Sequence, residues 1–323
     1  MNPLYKIIII IAFFAFNSNL FAQNKDPDKQ TRQLIKAITK TLKKESIVRE
    51  KIDWIRLDDN LKSINFSGKH TSDKEKVYSV FINALQNAGD HHSFFLSKVI
   101  SDGLNKLNEE EVLSTSKYLG NNIGYLKIPY CMTLDVEKDL KFANILIKQI
   151  QILDENEIDK WIIDLRDNGG GNRWPMLAGL TPIIGDGLIG YNIVLNKHIP
   201  IIIKKGLIKY STLETIQYTT KKPFKKIAVV INGHTGSSGE MVTIAILGFE
   251  ITKSFGQESG GYTTINSSRD YKDGTQLFLA TGYSADKNKK KYFPSIKPDF
   301  PMSNKLTEEE TIKSVENWLL KDK

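Results

Sequence analysis

The chain carries a single cysteine, Cys131, so no intrachain disulfide can form and stability must come from packing. A lone cysteine reads first as a buried apolar filler and only second as a nucleophile. Long apolar runs are also missing: nothing reaches the roughly 20 residues that a spanning helix needs. The nearest approach is Ile7 to Phe16, which follows Lys6 and ends in a short tract closing at Ala22. Residues 1–22 therefore read as a secretory signal cleaved after Ala22, with a single N-terminal membrane anchor as the competing reading. No cysteine directly follows the run, so a bacterial lipid anchor is not indicated. Dense charge is scarce as well. Lys and Arg outnumber Asp and Glu by 45 to 37, for a net +8, but the lysines are dispersed. Only Lys287-Asn-Lys-Lys-Lys291 is a tight run, and a solvated loop accounts for it, so no nucleic-acid partner is expected.

What is present is an alternation of apolar patterns. After a linker over residues 23–29, residues 30–97 read as an N-terminal helical subdomain. One helix is expected over Gln30 to Leu42, with Leu34, Ile38 and Leu42 on one side, and another from Ser72 to about Ala88. Trp54, Ile55 and Leu57 between them fit helix or extended chain equally. Residues 98–323 then switch to strands separated by helices, an α/β layer architecture. Strands are expected at Ile123–Pro129, Lys160–Arg166, Leu188–Val194, His198–Ile203, Thr212–Tyr218, Lys226–Ile231, Ile251–Phe255 and Thr275–Tyr283. Amphipathic helices are expected at Leu134–Leu153 and Glu308–Leu320.

The run Ile227 to Ile231 is continuously apolar and β-branched, as a strand covered on both faces requires. It ends in Asn232-Gly233. Ser237, with Glu240 three residues on, has the pattern of a capping box opening a helix. A strand-to-helix turn of this kind lifts a hydroxyl out of the sheet edge and leaves backbone N–H groups free for a developing negative charge. A second strand runs straight into Asp167-Asn-Gly-Gly-Gly-Asn172, where three glycines let main-chain amides approach a substrate. No Gly-Lys-Ser/Thr follows, so this is not a Walker phosphate loop.

A serine attacks only if a base takes its proton. The five histidines are His70, His91, His92, His198 and His234, and none lies after Ser237. That excludes the Ser…Asp…His order of α/β-hydrolases and requires a base from upstream. His92, in Gly89-Asp-His-His-Ser93, is the first choice; His234, three residues from the serine, is a possible base whose place in the turn favours a structural role. The adjacent histidines lack a third ligand at metal spacing, so no metal and no cofactor is expected.

The segments Ile123-Gly-Tyr-Leu-Lys-Ile-Pro129, Ile163-Asp-Leu-Arg-Asp-Asn-Gly-Gly-Gly171, Asn232-x-x-Thr-Gly-Ser-Ser-Gly-Glu240, Gly256-Gln-Glu-Ser-Gly-Gly261 and Ile296-Lys-Pro-Asp299 stand in one order. In that order and spacing the chain resembles the C-terminal processing (tail-specific) serine peptidases, whose relatives include the tricorn protease core and the retinoid-binding repeats. The resemblance implies the spiral ββα core of ClpP- and crotonase-type enzymes. It implies Ser237 as nucleophile, with the backbone N–H of Ser238 and of a glycine in Gly169–Gly171, Gly170 being preferred, as oxyanion hole. His92 falls on the general base of the tricorn-like branch. Two positions depart from the pattern: Tyr262 stands where the processing branch has a lysine base, and Tyr292 stands where the tricorn branch has an orienting glutamate. The group that orients His92 must then come from elsewhere, with Asp90, Ser93, Glu240 and Glu258 as candidates. The stretch between His92 and Ile123 is too short for the PDZ domain that many relatives carry there. The expectation is a periplasmic or secreted serine peptidase acting on peptides or unfolded protein, with no stable membrane insertion once the signal is removed. A noncatalytic peptide- or lipid-binding module on the same fold is the alternative, and oligomeric state is not legible.

Overall fold

The computed structural model describes residues 26–96, 112–133, 135–209, 211 and 213–321. The signal reading over 1–22 and residues 23–25 of the linker lie outside the described residues.

A six-stranded sheet forms the centre of the molecule. It comprises β2 (Thr115–Tyr118), β3 (Ile123–Lys127), β4 (Lys160–Asp164), β8 (Lys226–Ile231), β9 (Thr252–Gly256) and β12 (Phe300–Pro301), in the order β12-β9-β8-β4-β3-β2. Every neighbouring pair is parallel except β2 with β3. A parallel sheet is covered on both faces, which is why β4 and β8 are almost uninterrupted apolar sequence. On one face lie α4 (Val136–Asp154), α5 (Arg173–Gly179), α6 (Thr181–Ile184) and α7 (Ser238–Leu247), closing the largest core around Leu146, Trp161, Ile163, Val229 and Ile246. On the other face α8 (Glu308–Leu320) packs Val315 and Leu319 on Ile162, Ala228 and Val230.

The second sheet is antiparallel. It runs β1 (Phe94–Phe95), β11 (Gln276–Asp286), β5 (Gly187–Val194), β6 (Lys197–Lys204) and β7 (Leu207–Ile208), with β10 (Thr264–Asp270) also paired to β11. The N-terminal helices α1 (Lys29–Glu45), α2 (Trp54–Lys62) and α3 (His70–Asn87) bury Ile38, Leu42, Phe81 and Leu85 against Phe95, Leu277 and Leu279 of this sheet. The region around Trp54 is thus helical. The chain leaving α3 is delivered directly onto β11.

One expected strand is corrected. The described residues of 212–218 form no strand, because their polar groups bond to the side of α4 and not to a neighbouring strand. The Ile216 N–H donates to Asn144 Oδ1 at 2.9 Å, and the Tyr218 hydroxyl donates to Asp154 Oδ2 at 2.9 Å. Cys131 is buried at 3% exposure, and burial pushes its thiol up to about 12, so it stays an inert thiol.

Candidate active site

Parallel pairing of β4 with β8 puts their C-terminal ends side by side. The glycine cluster leaving β4 therefore lies against the turn leaving β8, the position at which open parallel sheets gather their ligands. The fit is close. A Cβ added at Gly170, whose φ is +113°, would come within 2.9 Å of Ser237 Cβ and 3.0 Å of Ser238 N. Asn168, fully buried, staples the two ends together. Its Nδ2 donates to the carbonyls of Ile128 and Pro129 (3.1 and 2.9 Å), and its own carbonyl accepts the Gly236 N–H at 3.0 Å.

Ser237 sits at φ 50°, ψ −117°, a conformation that L side chains resist, at the first step of α7. Glu240 holds it there. Its carboxylate accepts the Ser237 N–H (2.9 Å), the Tyr262 N–H (2.8 Å), the Gly261 N–H (3.0 Å) and the Ser259 hydroxyl. Burial raises the Glu240 pKa, and those four donors pull it back. The capping glutamate thus also fastens the 259–262 loop to the serine turn.

His92 arrives from the other sheet, on the short link between α3 and β1. The link is fixed by Asp90, whose Oδ1 accepts the main-chain N–H groups of His92 (3.0 Å) and Ser93 (3.1 Å) and whose Oδ2 accepts the Ser93 hydroxyl (2.6 Å). Ser93 Oγ in turn accepts the Ala280 N–H of β11 at 2.8 Å, and the His92 carbonyl accepts Asn266 Nδ2 of β10 at 2.8 Å. The ring then spans the two sheets. Nε2 lies 3.0 Å from Ser237 Oγ, and Nδ1 lies 2.8 Å from Thr264 Oγ1. Burial lowers the His92 pKa to about 4, with hydrogen bonding to Thr264 pulling the other way, so the ring is neutral near pH 7. With a neutral ring, an Nδ1–H donated to Thr264 leaves Nε2 as the acceptor facing the serine hydroxyl.

The structure therefore brings Ser237, His92, Ser238 and Gly170 together. It distributes the orienting candidates differently. Asp90 and Ser93 act on the backbone that carries His92, Glu240 acts on the serine turn, and Glu258 is exposed and accepts the Ser295 hydroxyl. The ring's own partner is Thr264, which opens a strand that sequence patterning passes over. Tyr262 packs its ring 5.4 Å from His92, centroid to centroid, and Tyr292 donates to Asp286 Oδ2 at 3.0 Å. His91 is exposed, and His234 lies 3.1 Å from Asp167 Oδ1. The Gly170 N–H donates to Asn168 Oδ1 at 3.1 Å, so it is engaged within its own loop.

Comparison with known proteins gives one frame for these features. The chain is similar to the nisin-resistance protein of Lactococcus lactis subsp. lactis, at 27% identity over 300 residues, covering 91% of this chain and 89% of that protein. Among solved structures it resembles a lipoprotein from Streptococcus agalactiae, with 24% identity, a TM-score of 0.73, and 93% and 99% of the two chains covered. It also resembles a photosystem II D1 C-terminal processing protease, with 11% identity, a TM-score of 0.57, and 88% and 97% covered. At such identities the two structures speak for the shared fold, a ClpP-like mixed α/β core. The family model described as peptidase family S41 matches residues 122–302, more than half of the chain, from the entry to β3 to just past β12. By that match this chain belongs to peptidase family S41.

Proposed function

We propose that the protein is a serine peptidase in which Ser237 is the nucleophile and His92 the general base. The observation that carries this is the 3.0 Å contact between His92 Nε2 and Ser237 Oγ, two residues 145 positions apart that separate sheets deliver to one point. As Ser237 Oγ bonds to the scissile carbonyl carbon, its proton passes to Nε2. The same proton then goes to the leaving amine as the C–N bond breaks, and a water hydrolyses the acyl-enzyme by the same route. The oxyanion faces the N-terminus of α7, where the Ser238 N–H supplies one donor. Gly170 is placed to supply the second by sharing its N–H between Asn168 Oδ1 and the oxyanion.

Thr264 keeps His92 in the productive tautomer. It is a neutral partner, so the imidazolium formed during turnover gains less than a carboxylate would give it.

Peptides are the substrates that the family implies. We infer that the mature chain works outside the cytoplasmic membrane, from the signal-like residues 1–22 and from its likeness to a protein described as a lipoprotein. Among the described residues no helix is long and apolar enough to cross a membrane. Nisin, named in the Lactococcus relative, is a natural first peptide to offer.

The test is labelling of the folded protein with a fluorophosphonate, with the modified residue mapped by mass spectrometry. Labelling at Ser237, lost in Ser237→Ala together with peptide hydrolysis, is expected. Full turnover in Ser237→Ala, or no labelling of the wild-type site, sinks the proposal.

A further inference from the structure

Arg173 opens α5, two residues beyond the glycine cluster. It is half-buried, and its guanidinium has no carboxylate partner among the described residues. Its contacts are Met241 Sδ, 3.2 Å from one terminal nitrogen, and the face of Trp174, whose ring centroid lies 4.4 Å from Cζ. A thioether is a weak acceptor, and an indole face satisfies none of the in-plane N–H groups of a guanidinium that carries five donors. Asp139, which accepts Asn172 Nδ2 at 2.7 Å on its Oδ2, makes no ion pair with Arg173.

Buried cations in folded proteins are normally paired, because taking a charge out of water without a counter-ion is costly. Burial lowers the Arg173 pKa to about 10, which still leaves the group charged at neutral pH. Its position matters as much as its charge. Met241 follows Ser237 by four residues and so lies above it on the same side of α7. The main chain just before Arg173 is the loop that packs on Ser237.

We propose that Arg173 receives a carboxylate of the peptide substrate, about one helical turn from Ser237. This rests on the peptidase reading of the same site and adds a charge preference to it. A planar guanidinium with an open fork matches a carboxylate in two parallel hydrogen bonds, and the stacked Trp174 holds the plane in place. The carboxylate has two sources, the C-terminus of the peptide or an Asp or Glu side chain.

Binding of fluorescein-labelled octapeptide pools to the Ser237→Ala protein, read by fluorescence anisotropy, separates these. One pool has a free C-terminus and no Asp or Glu, a second is amidated and contains Asp and Glu, and a third is amidated and contains neither. One of the two acidic pools is expected to bind about tenfold or more tighter than the neutral pool, as a charge-assisted bond would give. The acidic pool that does so names the source. In Ser237→Ala/Arg173→Met that preference should vanish, and Arg173→Lys in the same background should restore only part of it, with circular dichroism melting showing both variants folded. Equal binding of all three pools, no binding of any, or a preference that survives Arg173→Met overturns the proposal. Fluorophosphonate labelling of the Ser237-containing wild type reads the nucleophile alone, so a failure of the peptidase reading is seen separately from a failure of the arginine site.

Discussion

The two halves of the candidate site are held by different means. On the parallel sheet, the serine turn and the glycine cluster are fixed by close main-chain approach, reinforced by the buried Glu240 carboxylate and the Asn168 side chain. Gly236 N–H bonds the Asn168 carbonyl, Gly260 N–H bonds the Thr235 carbonyl at 2.8 Å, and Gly170 leaves no room for a Cβ against Ser237. On the antiparallel sheet, His92 is fixed by three side chains, with Asp90 on its N–H, Asn266 on its carbonyl and Thr264 on its ring. Main chains packed this closely tolerate almost no change of shape. A set of side-chain bonds can be loosened one at a time.

That contrast can be probed by substitutions that remove progressively less. His92→Gln should lower kcat by a factor of about 10²–10⁴, the usual worth of a positioned base, while leaving fluorescent peptide binding within a few-fold. A variant with unchanged kcat would place the base elsewhere.

Gly170→Ala comes next. A methyl directed at Ser237 Cβ must displace the serine turn, and a displacement near 1 Å is enough to cost about 10²-fold in rate. A lower melting temperature should accompany it, because the left-handed φ of Gly170 suits glycine.

On the other half, Thr264→Val keeps the shape and removes the ring's partner. A loss of about tenfold in kcat/KM is expected, in line with one neutral hydrogen bond. Thr264→Ser should recover most of it. If Thr264→Val costs as much as His92→Gln, the base half is as rigid as the nucleophile half and the contrast fails.

The pH profile sharpens the same half. The base must be neutral, and burial sets its pKa near 4, so the acid limb of kcat/KM should fall well below the ordinary histidine value of about 6.5. The unfolded chain takes up this proton at about 6.5 and the folded chain only near 4, so the fold loses stability as pH falls through that window. His92→Gln should flatten that part of the stability curve. The smallest effect belongs to Tyr262→Phe, expected within about twofold of wild type, since the bond Tyr262 makes to Glu240 uses its main-chain N–H.

Legibility in the sequence followed the same division. β8, the serine turn and the glycine cluster could be read because a buried parallel strand must be apolar, and the turns ending it need glycine and capping residues that show as letters. The last helix reads just as clearly from its amphipathic pattern, and in the structure Thr307 and Glu310 form a reciprocal cap at its start. β10 could not be read. Thr264-Ile-Asn-Ser-Ser-Arg-Asp270 is half exposed and almost wholly polar, so neither periodicity nor propensity separates it from a loop, and Thr264 goes unseen with it. Residues 212–218 read as a short strand, yet an extended segment can satisfy its polar groups on a helix flank as well as on a sheet. Asp90 was legible as a neighbour of His92. Which atom of the histidine it serves depends on the turn between them, and the letters do not encode that turn. Arg173 carries no signal at all, because an arginine after a glycine loop is distinguishable only by what fails to surround it.

The backbone at Ser237 has a consequence for how such a chain endures. A residue at φ 50°, ψ −117° holds a conformation that glycine would adopt at ease, worth about 1 kcal/mol in favour of Ser237→Gly after glycine's larger chain entropy is counted. The mutation that silences the hydroxyl would then also make the fold more secure. On the proposed mechanism, drift toward stability would then favour a sturdier protein that has lost its nucleophile.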